Sequence, residues 1–116
     1  MMPNPVLREE INQLHAHICS GLADPIRIVI LYTLAQQSRT VNELVEALGA
    51  PQPTVSRHLR HLRDRGLVEA SREGQYVRYT LKDPRVIEAL DILRAVMHDY
   101  LQERVNLIGN PNEVKS

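Results

Sequence analysis

Apolar residues recur at helical spacing in five stretches of the chain and alternate once at strand spacing, and these intervals predict the elements. Leu7, Ile11, Leu14 and Ile18 mark a first helix over about 6–21. Asp24 followed by Pro25 is a helix start, and Ile26, Ile28, Val29, Ile30, Leu31 and Leu34 leave that second helix almost no polar face except Arg27. Val41, Leu44, Val45 and Leu48 form a third stripe, with Thr40 and Glu43 spaced as a capping box and Gly49 as the C-terminal stop. Val55, Leu59 and Leu62 make a fourth stripe over 54–65, behind Pro51-Gln52-Pro53. Two strands follow, 67–72 and 75–81 around Glu73-Gly74, in which Val77, Tyr79 and Leu81 alternate with Tyr76, Arg78 and Thr80. Asp83-Pro84 opens the last and longest helix, about 84–107, with Gly109 and Pro111 beyond it. The predicted order is α-α-α-α-β-β-α: mainly α with a small β-hairpin.

Two short helices joined by Gly49-Ala50-Pro51 fit a helix-turn-helix, in which the second helix enters a major groove. Its apolar stripe must be buried, which leaves Arg57, Arg60 and His61 facing outward, flanked by Thr54 and His58. Guanidinium, imidazole and hydroxyl groups suit phosphates and base edges. The hairpin stands where a wing would, with Arg72 and Gln75 beside its tip, in reach of a phosphate or a minor groove.

The last helix repeats Val86, Leu90, Leu93, Met97 and Tyr100 at near-heptad spacing, widened by Ala89, Ile92 and Val96. That is more apolar surface than a terminal helix on a small monomer buries, and it predicts a homodimer. The expected interface is Leu7, Ile11, Leu14 and Ile18 of the first helix with Leu90, Leu93, Met97 and Tyr100 of the last.

With 116 residues the chain suits a single domain, 1–116, with a reading head at about 40–82 and dimerisation helices at about 6–21 and 84–107. The net charge is zero, but its distribution is not even. Residues 51–82 carry a balance of +4 and the remainder −4, as expected for a protein that meets nucleic acid on one face. A single cysteine, Cys19, rules out an internal disulfide and fits a reducing cytoplasm. The sequence carries no signal-peptide pattern and no apolar run long enough to span a bilayer, so no membrane partner is expected.

The run Gln52-Pro53-Thr54-Val55-Ser56-Arg57-His58-Leu59, then Leu62, Gly66-Leu67-Val68, Arg72-Glu73-Gly74-Gln75 and Tyr79, resembles the ArsR/SmtB family of winged-helix repressors. So does Leu22-Ala23-Asp24-Pro25-Ile26-Arg27, and the resemblance covers roughly residues 10–105. It implies a homodimeric repressor, bacterial or archaeal, that leaves a double-stranded DNA operator when an effector binds. In members that sense metals through thiolates, two cysteines separated by one residue open the first helix of the helix-turn-helix. The matching positions here hold Thr40 and Asn42. Members that bind zinc on the last helix use paired Asp and His ligands, and this helix has only His98 as a histidine.

No metal or other cofactor is required for the expected fold. His15 and Cys19 share a helix face at i, i+4, and one metal ion there would draw a third ligand from the partner protomer or from the last helix, where His98, Asp99 and Glu103 are candidates. The alternative is that Cys19 is a small hydrophobe and that His15 and His17 are ordinary interface or surface residues. Two functions stay open: a sequence-specific DNA-binding regulator, and a winged-helix module that binds protein without an operator. In the first, Gln52, Thr54, Ser56, Arg57 and His58 read bases while Arg60, His61, Arg72 and Gln75 hold the backbone or groove edge. No nucleophile, base and orienting group fall into a catalytic arrangement, so no enzyme is expected.

Overall fold

The computed structural model describes residues 4–108. They fall into two units, one ending at Pro84 and one beginning at Arg85. The expected stop signals at Gly109 and Pro111 lie outside the described residues.

In the first unit, α1 spans Pro5–Gln13 and continues as a π-helical turn over Leu14–Cys19. Asn4 starts it, its side chain accepting the Leu7 N–H at 2.8 Å. No residue of α1 is buried. α2, Pro25–Gln36, begins where the Asp24 carboxylate accepts the Ile26 N–H at 2.8 Å. Its apolar face supplies Ile30, Leu31 and Leu34 to the core, although Val29 is 49% exposed and α2 is not buried all round.

β1, Arg39–Thr40, is followed directly by α3, Val41–Leu48. The capping box forms as its spacing predicts: the Thr40 hydroxyl accepts the Glu43 N–H at 3.3 Å, and the Glu43 carboxylate accepts the Thr40 N–H at 2.8 Å. Gly49 closes α3 at φ 66°, a left-handed conformation that a side chain would strain. α4, Gln52–Asp64, starts two residues before the predicted Thr54 because Pro53 fits its first turn. It ends in a Schellman motif, with Leu67 N–H on Leu62 C=O and Gly66 N–H on Arg63 C=O, both at 2.9 Å. That motif needs a left-handed residue, and Gly66 takes φ 75° there.

β2, Val68–Glu73, and β3, Tyr76–Leu81, form the hairpin, with Glu73 opposite Tyr76. The turn is Gly74-Gln75, one residue later than predicted from the position of glycine alone. Gly74 occupies the first central position of a two-residue turn, which moves Gln75 out of the strand and into the turn. β1, which the sequence pattern did not predict, pairs antiparallel with β3 through Arg39 to Tyr79 and Thr40 to Arg78. The sheet order is β1-β3-β2. Leu44, Val55, Leu59, Leu62, Leu67 and Val68 join the α2 residues in one core. A helix-turn-helix followed by a β-wing is a winged helix.

The second unit is α5, Arg85–Ile108. Ile92, Leu93, Val96, Met97 and Tyr100 are exposed along it. Arg104 donates to the Tyr100 hydroxyl at 3.0 Å, with its guanidinium 5.7 Å from the ring centre.

Candidate nucleic-acid interface

α4 buries Val55, Leu59 and Leu62 completely, which fixes what its other side presents. Gln52, Arg57, Arg60 and Arg63 are exposed, and Thr54, Ser56 and His61 are half-buried. Gln52, Ser56 and Arg60 follow one another at i, i+4, i+8 and so line one row. Within it the Gln52 amide donates to the Ser56 hydroxyl at 3.1 Å. That bond uses one amide hydrogen and leaves Gln52 a second hydrogen and its carbonyl oxygen, the pair that matches an adenine edge. No side chain caps the start of α4, so its positive end is open to an anion.

His58 is the correction. Expected beside the base readers, it is 4% exposed and belongs to the buried side. The physical reason is spacing: His58 lies three residues after Val55 and four before Leu62, on the helix face that packs. Its Nδ1 meets Nη1 of Arg27 at 3.1 Å. Burial pushes its imidazole below the usual histidine range, Asp24 opposes that shift, and Arg27 and Arg57 add to it. His61 is also lowered, first by burial and then by Arg27 and Arg65. Its Nε2 is buried with no hydrogen-bond partner among the described residues, so only part of the ring is available to DNA.

At the wing, Arg72 and Gln75 are both exposed. Gln75 also lines a cleft of about 200 Å³ with Thr40, Val41, Asn42, Tyr76 and Val77. Arg78 is committed to the fold, donating to Glu73 at 3.0 Å and to the Ser38 carbonyl at 3.2 Å, with Glu43 at 3.7 Å. Arg65 is similarly engaged, its Nε donating to the Ser20 hydroxyl at 3.3 Å.

Two residues were missed. Arg63 is exposed and continues the row of Gln52, Ser56 and Arg60, which helical spacing alone predicts. Arg27 touches α4 from a distant part of the chain, and its only sequence signal was being the lone charged group on an apolar helix.

The other expected sites fare differently. His15 and Cys19 are exposed, and among the described residues no three His, Cys, Asp or Glu side chains group as a metal site requires. On the expected dimer faces Leu7, Ile11, Leu14, Leu93, Met97 and Tyr100 are exposed. Leu90 is 7% exposed and Ile18 half-buried, so these two do not belong to the open set. No helix among the described residues is long and apolar enough to cross a membrane.

The family profile for bacterial regulatory proteins of the arsR family matches residues 24–70. The chain is 40% identical over 96 residues to the HTH-type transcriptional repressor SmtB of Mycobacterium tuberculosis, covering 83% of this chain and 69% of that protein. The chain belongs to the ArsR family. It is also 40% identical over 84 residues to a probable mercury resistance operon repressor of Streptomyces lividans, with 72% and 67% of the two chains covered. Among solved structures, it resembles a homodimeric winged helix-turn-helix DNA-binding domain from Mycobacterium bovis. The TM-score is 0.73 at 30% identity, over 87% of this chain and 93% of that one. These ArsR-family relatives are transcriptional regulators rather than enzymes.

Proposed function

We propose that this ArsR-family protein is a cytoplasmic, homodimeric DNA-binding transcriptional repressor that leaves an inverted-repeat operator when an effector binds. The observation that carries it is the exposed row on α4, where arginines and a pre-oriented Gln52 sit on a helix whose other side is locked into the core. The relatives named as repressors and the homodimeric neighbour support the same reading. The chain acts as one winged-helix domain over 1–116, with a reading head at about 40–82 and dimerisation helices at about 6–21 and 84–107. It regulates and does not catalyse.

Gln52, Thr54, Ser56 and Arg57 read bases, Arg60, Arg63 and Arg72 hold phosphates, and His61 and Gln75 contribute at the edge. The apolar rows of α1 and α5 are partner-facing, and the two copies of α4 enter successive major grooves about 34–36 Å apart. The test is fluorescence anisotropy with the DNA upstream of the protein's own gene and a scrambled control. Arg57→Ala costs about 1–3 kcal/mol on the specific site and narrows the gap between the two DNAs. Arg72→Ala weakens both alike and lowers the salt slope by about two, one contact from each protomer. If the two variants behave identically, the division between readers and phosphate contacts is wrong.

A further inference from the structure

The junction between the start of α2 and the middle of α4 holds a buried group for which DNA contact has no use. His58 Nδ1 lies 3.1 Å from Nη1 of Arg27. A guanidinium has donors and no acceptor, so this bond exists only while Nδ1 keeps its lone pair. His58 is therefore neutral, with its proton on Nε2. The same guanidinium donates from Nε to the Gly21 carbonyl at 2.9 Å and from Nη2 to the Ser20 carbonyl at 3.3 Å. One side chain thus ties the end of the first helix to the helix that reads DNA.

The charges that reach His58 come from Asp24 and Arg27 at the start of α2 and from Arg57 on α4 itself. One turn on, His61 responds to Arg27, Arg65, Asp64 and His58. Only Asp24 among the charges at His58 favours a cationic ring. A proton added at Nδ1 removes the acceptor and sets two positive groups against each other in a part-buried junction, where screening is weaker than at the open surface.

We propose that Arg27 and His58 form a proton-sensitive latch that holds α4 in its DNA-reading position, so that acidification weakens operator binding. Both are positioning residues, and neither touches DNA. The proposal rests on the reading of α4 as the recognition helix. Its sign is distinctive: a histidine that gains charge beside a phosphate tightens DNA binding as pH falls, whereas the latch loosens it.

The experiment follows anisotropy with the upstream DNA fragment at fixed ionic strength from about pH 8 to about pH 5.5, the range over which histidines titrate. It uses wild type, His58→Asn and His58→Leu, with circular dichroism at each pH to confirm the fold. Asn places a non-titrating oxygen near the position of Nδ1 and can still accept from Arg27. The expected result is a loss of about fivefold or more for wild type, a flat profile for His58→Asn, and weak binding at every pH for His58→Leu. A wild-type affinity that stays level or rises in acid overturns the latch, as does an equal loss in His58→Asn. Absence of binding to the upstream DNA even at the alkaline end brings down the DNA-reading role and the latch's role with it. Nitrogen shifts of the His58 ring in the free protein test the contact independently of DNA. An unprotonated Nδ1 at the alkaline end is expected, and a proton there overturns the proposal.

Discussion

A Cβ built on Gly21 falls 2.6 Å from Cδ1 of Leu67, and that distance makes Gly21→Ala the sharpest probe of how the first helix meets the reading head. Gly21 has no positive φ, so the backbone suits alanine and only space forbids it. Leu67 is 2% exposed at the junction of α4 and β2, so its methyl cannot swing aside without displacing other core atoms. Overpacking of this kind costs about 1–3 kcal/mol, while replacing a helical glycine by alanine returns about 0.5–1 kcal/mol. The net loss expected is about 0–2.5 kcal/mol. Leu67→Ala removes the colliding methyl and costs about 2–5 kcal/mol by itself. In that background Gly21→Ala meets only the Cβ and Cγ of Arg65 at 3.7 Å, an ordinary van der Waals contact, and stabilises by about 0.5–1 kcal/mol. The assay is a double-mutant cycle by urea unfolding at one fixed protomer concentration, since a dimer's stability depends on concentration. A change of sign between backgrounds is the expected result. If Gly21→Ala costs the same with and without the Leu67 side chain, the close approach is not what governs this position.

Thr40→Ala removes the hydroxyl that accepts the Glu43 N–H and lowers stability by about 0.5–2 kcal/mol, read as a fall in melting temperature. The Glu43 carboxyl is held below its ordinary range, first by the Thr40 backbone N–H and further by Arg78. Its contribution is complete above the ordinary value of 4.5 and is lost as pH falls through the lower folded value. Glu43→Gln therefore flattens the acid limb of a stability profile, and an unchanged limb counts against the capping carboxylate. Ile11 and Met97 are each 48% exposed, so Ile11→Glu and Met97→Glu preserve the fold. Both shift sedimentation toward the monomer and weaken operator binding, and a dimer that survives both changes refutes the assignment of these faces.

The helix boundaries were legible because their signals are local. Thr40 with Glu43, Asp24 with Pro25, and Gly49 each act within about one turn, and all three work as their spacing requires. β1 was not legible, because a two-residue strand exists only through β3, about forty residues away in the chain. The hairpin register slipped by one because Gly74 alone does not say which central turn position it fills. The π-helical turn at Leu14–Cys19 carried no compositional signal at all. At the interface, Arg57 and Arg60 were legible from the apolar stripe opposite them. His58 was misplaced because its residue type suggested contact with DNA while its spacing put it inside. Arg27 required the tertiary structure, since its partner lies 31 residues on.

Sorting the arginines by what they hold also corrects the simplest electrostatic argument. The local excess of positive charge between residues 51 and 82 counts Arg65 and Arg78, yet both bond to the protein itself. Each protomer is left with Arg60, Arg63, Arg72 and Lys82 for phosphates, joined by Arg57 if that residue does not read a base. A dimer then neutralises about eight to ten phosphates, and the logarithm of its affinity falls against the logarithm of salt with a slope of about −7 to −9. Counting every basic residue of the segment on both protomers would predict a slope of about −13. Measuring operator affinity across a salt series decides between the two counts. A slope near the steeper value would mean that Arg65 and Arg78 leave their internal partners on binding, and that the reading head refolds locally around DNA.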